Sequence, residues 1–321
     1  MAIMLKCLLK LPPRLALHAY FYFRQLGLIR SFLNRESRRV YKNYPLSLDF
    51  AQEKIASDFK NNGIAITHLD QLFPGQNILK TLQEYTDNCR QQAQVGGVKK
   101  FLDYLWDNFP SLDFNNNPFL EGIALHPRVL AIVNNYLGMC GQLLHFTLNV
   151  TRVVDKRTMP VQSQKWHRDP EDRQMCKVFV YLTDVDEGSG PFVYLPQSNC
   201  GSKFWKLFPM RPPVGNYPPE GAMEKLFPVG DLKTCVGRAG TVIFADTAGL
   251  HRGGYATNKE RVMFTASYCP FTCPSPYMYS LPNNLSYWLK NKSPSIAYAI
   301  RDKVPGAACY WYDLYKRVIS W

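Results

Sequence analysis

Two of the six histidines in the chain stand where metal chemistry would put them. Trp166-His167-Arg168-Asp169-Pro170 sets His167 and Asp169 two residues apart. In an extended segment the side chains of i and i+2 point to the same face, so this imidazole and carboxylate can reach one ion. A third ligand candidate, His251, comes much later in Gly249-Leu250-His251-Arg252-Gly253-Gly254. Two histidines and one carboxylate on one face of a metal leave three coordination positions open. Non-haem Fe(II) oxygenases use that arrangement to bind a cosubstrate and O2. Zinc hydrolases and isomerases use the same donors, and a catalytically silent metal- or ligand-binding jelly roll would also carry them.

The elements that must position these residues change character along the chain. Up to Gly141 the pattern is helical. Phe50, Ile55 and Phe59 predict a helix over 48–59, stopped by Asn61-Asn62-Gly63 before a short strand at Ile64-Ala65-Ile66. Further helices are expected over 78–94 and over 127–137, the latter opening on Pro127 and closed by Gly138. After Gly141 come short β-rich runs at 143–154, 177–182, 192–195, 241–244 and 262–268, broken by Gly and Pro. In the second run Lys177, Phe179 and Tyr181 alternate with Val178, Val180 and Leu182, as in a strand between two different environments. The expected fold is mainly β with flanking helices, around a double-stranded β-helix (jelly roll, cupin-like) core. Residues 201–235, rich in proline, read as a long insertion.

Taken together the motifs resemble those of the phytanoyl-CoA dioxygenase family of Fe(II)- and 2-oxoglutarate-dependent oxygenases. The resemblance is carried by Asp58-Phe59-Lys60-Asn61-Asn62-Gly63, the helix from His126 to Gly138 and Trp166-His167-Arg168-Asp169. It continues through Tyr181-Leu182-Thr183-Asp184-Val185, Gly188-Ser189-Gly190-Pro191-Phe192, Leu195-Pro196-Gln197-Ser198, Gly240-Thr241-Val242-Ile243-Phe244, His251 and Arg261. It spans about residues 50–270. It implies His167, Asp169 and His251 as iron ligands, with 2-oxoglutarate as cosubstrate and O2 as oxidant. It also implies that Arg261 pairs with the distal carboxylate of 2-oxoglutarate, a task suited to a planar guanidinium fork. Gly253 stands where some relatives place a hydroxyl residue that helps bind the cosubstrate, which leaves Lys177, Tyr181 and Asn149 as candidates to assist. Related halogenases replace the carboxylate of the triad by a small residue, so Asp169 points to hydroxylation. Arg168, Arg252 and Trp166 flank the ligands and are candidates for substrate contact.

Composition bounds the rest. The 321-residue chain is 46% hydrophobic and 14% aromatic, enough for a sizeable core. Arg14 and Arg24 bracket the longest early apolar run, well short of the ~20 residues a bilayer span needs, so no transmembrane helix is expected. Lys10 and Pro12-Pro13 interrupt the N-terminal apolar stretch, and a cleaved secretory signal is not expected. Nine scattered cysteines without CxxC spacing argue against a disulfide framework and point to the cytoplasm or another reducing compartment. The net charge of +13 is concentrated in residues 1–45, which carry nine Lys and Arg against Glu36 alone. That region is expected to be a packing segment or a membrane-surface segment, with an organellar presequence left open. No nucleic-acid motif accompanies the charge, and no nucleic-acid partner is expected. The expected division is 1–45, an oxygenase domain over 46–275, and an aromatic C-terminal extension over 276–321. The basic segment, the insertion and the aromatic tail (Tyr310, Trp311, Tyr312, Tyr315, Trp321) suggest a small-molecule or lipid-type substrate, amphipathic or anionic.

Overall fold

The computed structural model describes residues 19, 22–96, 105–106, 117–155, 159–209, 217–273, 279, 281 and 284–300. Residues 1–18 of the basic segment, 210–216 of the insertion and the aromatic tail from 301 onward lie outside the described residues. Local sequence fixes the helix ends. Helices α1 (Gly27–Leu33) and α2 (Arg35–Asn43) lead into α3 (Phe50–Asn62), which starts at a reciprocal capping box between Asp49 and Gln52 and ends at Gly63 with φ 72°. Helix α4 covers Ile78–Gly96, and α5 covers Pro127–Leu137, capped by His126 and by Gly138 in the left-handed conformation.

The described residues form nine strands in chain order: β1 Ile64–His68, β2 Leu105–Trp106, β3 Gln142–Thr151, β4 Cys176–Tyr181, β5 Phe192–Tyr194, β6 Lys233–Cys235, β7 Thr241–Ala245, β8 His251–Arg252 and β9 Arg261–Cys269. Six of them form an antiparallel sheet in the order β1-β7-β4-β9-β3-β2, and a smaller sheet runs β6-β5-β8. This is the mainly β core with flanking helices expected from the sequence. The alternation read in β4 holds across the large sheet. Phe146, Val178, Phe244 and Phe264 face outward into one cluster with Phe59 of α3 and Val133 of α5. Phe244 and Phe264 are fully buried, each contributing roughly 1.5–3 kcal/mol of transfer free energy. The opposite face of the same strands presents Thr147, Asn149, Lys177, Phe179, Arg261 and Thr265 to a cavity.

Three segments are tied into the fold by contacts remote in sequence. The insertion contributes to the core: its last residues are β6, paired with β5 through Phe192↔Cys235, and it contains the short helix α6 (Ala222–Leu226). Proline density concealed that strand, whose partners are remote in sequence. The basic N-terminal segment, over residues 22–43, is not a solvated cationic face throughout. Arg24 and Arg30 turn inward onto the buried carboxylate of Asp172 (3.4 and 2.5 Å), and Arg24 also donates to the carbonyls of Glu171 and Thr272. The C-terminal extension is likewise partly core, because α7 (Pro294–Ala299) buries Ile296 and Ala299 in the main apolar cluster. Among the described residues no helix is long and apolar enough to cross a membrane.

Candidate metal centre

The small sheet brings the three candidate ligands together. His167 and His251 exchange backbone hydrogen bonds, His167 N–H to His251 O at 2.8 Å and His251 N–H to His167 O at 3.0 Å. Asp169 N–H donates to Thr247 O at 2.8 Å, tying the carboxylate to the turn that leads into β8. The imidazole and carboxylate ligand atoms of His167, Asp169 and His251 all lie within 4.8 Å of one another. The two Nε2 atoms stand 3.6 and 3.7 Å from the Asp169 oxygens. Each histidine's Nδ1 lies against a backbone carbonyl, Lys165 O at 2.8 Å for His167 and Gly249 O at 3.0 Å for His251. Only a protonated Nδ1 can pair with a carbonyl, so both Nε2 atoms present lone pairs to the shared space. Burial, and then the neighbouring His167, push His251 down to about 3, which keeps it neutral. Burial works against ionisation of Asp169, but Lys177, His251 and His167 together hold its carboxyl well below the usual range. Two imidazoles and one carboxylate, buried and convergent, are a facial donor set for a divalent metal.

Arg261 lies in the same cavity, opposite Thr151 in the β3–β9 register. Its Nη2 donates to Thr151 Oγ1 at 3.1 Å, and its guanidinium stands 5.8 Å from the centre of the Tyr181 ring. Its Nε and Nη1 are buried without a hydrogen-bond partner, and no carboxylate among the described residues pairs with it. A buried guanidinium with two open N–H donors is costly unless a ligand completes it. Gly254 permits this placement. A Cβ there would run into Gly190 O and sit 2.9 Å from Arg261 Nη2. The hydroxyl absent from Gly253 has a neighbour that the sequence did not reveal. Ser163 lines the cavity, its Oγ lies 3.6 Å from where a Cβ of residue 253 would stand, and its carbonyl accepts the Gly253 N–H at 2.5 Å. Only that long-range contact identifies Ser163.

The remaining sequence candidates divide. Asn149 lines the cavity and donates to Thr147 Oγ1 at 2.9 Å. Lys177 also lines it, but its ammonium is engaged with Asp169 Oδ2 at 2.6 Å rather than extended toward Arg261. Burial opposes its charge, yet Asp169 and then Glu171 raise its pKa above the usual value. Tyr181 is placed behind Arg261: its hydroxyl donates to Cys235 O at 2.8 Å, and burial pushes its pKa up to about 12. Arg168 is a correction. It is fully buried and donates to backbone carbonyls, including those of Ser198 (2.6 Å), Ala248 (2.7 Å) and Leu207 (2.9 Å), which makes it a scaffold cation turned away from the cavity. Trp166 and Arg252 form an outer cluster instead of lining the cavity. Arg252 lies 5.2 Å from the Trp166 ring centre, and Glu224 of α6 accepts from Trp166 Nε1 (3.1 Å) and Arg252 Nη1 (3.4 Å). Tyr217, also from the insertion, stacks on His167 with ring centres 5.8 Å apart.

No protein-family model and no curated protein matches the sequence. Solved structures do match its fold. The structure of the epimerase SnoN in complex with Fe3+, alpha ketoglutarate and nogalamycin RO superposes with a TM-score of 0.52 at 16% identity, over 74% of this chain and 88% of that one. The structure of EctD from S. alaskensis with bound Fe superposes with a TM-score of 0.50 at 14% identity, over 79% and 85% of the two chains. At such identities the likeness establishes a shared fold, and the chemistry rests on this chain's own convergent His167, Asp169, His251 and Arg261.

Proposed function

We propose that the protein is a non-haem Fe(II)- and 2-oxoglutarate-dependent dioxygenase of the phytanoyl-CoA dioxygenase type, which hydroxylates an unactivated C–H bond of a small-molecule substrate. The observation that carries this reading is the pairing of two features in one cavity: a facial two-histidine, one-carboxylate donor set, and a buried arginine whose Nε and Nη1 lack partners. The donor set fits a divalent metal because both Nε2 lone pairs are free and Asp169 is ionised. The arginine fits a dicarboxylate cosubstrate because its planar fork can hold one carboxylate while the other end reaches the metal. Fe(II) with 2-oxoglutarate and O2 supplies the oxidising chemistry, in which decarboxylation of the keto acid to succinate and CO2 is coupled to oxidation of the substrate C–H bond.

The chain's own residues do the positioning. The carbonyls of Lys165 and Gly249 lock the tautomers and ring orientations of His167 and His251. Thr151 fixes the Arg261 fork in the plane that meets a carboxylate, and Ser163 offers a second polar contact on the adjoining wall. Phe179, Phe192 and Met263 form the apolar part of the lining and keep bulk water from the reacting C–H bond. Asp169, being intact, occupies the position that a halide would otherwise need, which favours hydroxylation. Three titrations of 2-oxoglutarate into the Ni(II)-loaded protein test the reading. Wild type should bind one equivalent, Arg261→Ala should bind at least about tenfold more weakly, and His251→Ala should not hold the metal. Equal affinity in wild type and Arg261→Ala would overturn the role of the arginine.

A further inference from the structure

The helical stretch formed by α1 and α2 is patterned inside out. A helix on the surface of a soluble protein ordinarily turns its apolar stripe to the core. Here the residues buried at helical spacing are Arg30, Asn34 and Ser37, with Arg24 ahead of them. Each is completed by the body of the protein: Arg24 and Arg30 bind Asp172, Asn34 Oδ1 accepts from Thr272 N–H at 3.2 Å, and Ser37 Oγ donates to Cys140 O at 2.6 Å. The apolar side chains point the other way. Tyr22 is 68% exposed, Leu28 89% and Phe32 50%. Leu28 and Phe32, four residues apart, start an outward stripe that continues through Arg35, Arg39 and Lys42. Hydrogen bonds from Asn34 N–H to Arg30 O (3.0 Å) and from Arg38 N–H to Asn34 O (3.1 Å) carry the helical ladder across the junction. At that junction the Arg35 guanidinium lies 4.3 Å from the centre of the Phe32 ring.

We propose that this outward face of α1 and α2 docks on an anionic phospholipid surface, with Leu28 and Phe32 at the boundary between headgroups and acyl chains and Arg35, Arg39 and Lys42 among the phosphates. A single exposed leucine is ordinary. An exposed apolar stripe directly opposite a buried polar one is not, because the polar stripe fixes which side faces out. Charge selects the partner. Glu36 is the sole acidic residue over 22–43, and it binds Arg39 at 2.9 Å, whereas Arg35, Arg38 and Lys42 add to the positive field. Residues 1–18 contribute Lys6, Lys10 and Arg14 to that charge and no acidic residue. Shape selects it further. Leu28 and Phe32 protrude from a convex helix, so an acidic protein would need a cleft matched to them, while the acyl boundary of a bilayer accepts any protruding apolar side chain. The long stems of arginine and lysine let their charged ends rise to the headgroups beside them. Such docking is peripheral, since among the described residues no helix is long and apolar enough to cross a membrane. It is independent of the chemistry proposed for the metal centre.

The test is co-sedimentation of the full chain with vesicles of phosphatidylcholine alone and of phosphatidylcholine containing about one-third phosphatidylserine. The expected result is binding to the anionic vesicles at least about tenfold tighter than to the neutral ones, and weakened by added salt. The double variant Leu28→Ser, Phe32→Ser should bind the anionic vesicles at least about tenfold more weakly, through the apolar area it no longer inserts. Arg35→Gln with Lys42→Gln should lose on the order of tenfold and part of the salt dependence. Val229, an exposed apolar residue outside the stripe, serves as the control, and Val229→Ser should bind as wild type does. All four replaced positions are exposed, so the unfolding temperature of each variant should stay at the wild-type value and separate lost docking from lost folding. No binding by wild type, or equal binding to both kinds of vesicle, would overturn the proposal. Unchanged vesicle binding in the Leu28→Ser, Phe32→Ser variant would also overturn it, by assigning the binding to the basic sequence ahead of this face. So would a wild-type dimer in sedimentation equilibrium that this variant abolishes while vesicle binding persists, which would give the face to a second copy of the chain.

Discussion

Asp172 joins the N-terminal segment to the loop that carries Asp169, and replacing it by asparagine is the most informative test of how that segment is held. The carboxylate is fully buried and accepts from Arg30 Nη1 at 2.5 Å, from Thr272 Oγ1 at 2.9 Å and from Arg24 Nη1 at 3.4 Å. The two arginine side chains are only 1% and 3% exposed, so Asp172→Asn leaves two guanidinium charges in the interior facing a neutral amide. Removing one partner of a buried ion pair costs about 3–5 kcal/mol. Arg24 keeps its bonds to the carbonyls of Glu171 and Thr272, which places the expected loss at the lower end, about 3 kcal/mol. For a domain of this size that is a fall of roughly 6–12 °C in Tm. Urea unfolding followed by tryptophan fluorescence measures the loss. The triple substitution Arg24→Met, Arg30→Met, Asp172→Leu, which removes the charges together, should recover most of it. A value for Asp172→Asn within about 0.5 kcal/mol of wild type, the range of neutral surface changes, would refute the reasoning and show that the Asp172 ion pairs add nothing net to holding the segment.

Other expectations follow from the same geometry. Gly254→Ala should displace Arg261, because the new Cβ meets Gly190 O and Arg261 Nη2 together; 2-oxoglutarate affinity should fall with Ni(II) affinity intact, and an unchanged 2-oxoglutarate titration would contradict that placement. Burial, and then Lys177, depress His145 to about 3 from its ordinary 6.5, so the unfolded chain takes up a proton below pH 6.5 that the folded chain refuses. Stability from this group is therefore complete above pH 6.5 and lost as pH falls toward 3. Between pH 7 and 5 the metal-free wild type should lose about 2 kcal/mol relative to His145→Leu in paired urea titrations. Chelation should destabilise the protein, and Ni(II) at about a hundred times its Kd should restore roughly 2.7 kcal/mol in wild type and nothing in His251→Ala.

What the sequence disclosed depended on the range of the interaction that fixes each residue. Helix α5 has the limits read from Pro127 and Gly138 because its caps are local. The alternation in β4 was legible because one face packs on apolar helices and the other lines a cavity. Strands β6 and β8 escaped because they are three and two residues long and exist only through pairing with β5, far away in the chain. Arg168 was misassigned although the rule that placed its neighbours could have placed it. If His167 and Asp169 share one face of an extended segment, the residue between them must point to the other. Ser163 needed a contact with Gly253 far away in the chain, which no local pattern encodes.

The central claim is tested most directly by anaerobic addition of Fe(II) and 2-oxoglutarate to the metal-free full chain, recorded as a visible absorption spectrum. A weak metal-to-ligand charge-transfer band is expected that needs both components, vanishes in His251→Ala and requires much more 2-oxoglutarate in Arg261→Ala. No band in a wild-type protein that binds Fe(II) at His167, Asp169 and His251 would contradict it and would leave a metal site without the cosubstrate chemistry assigned to it.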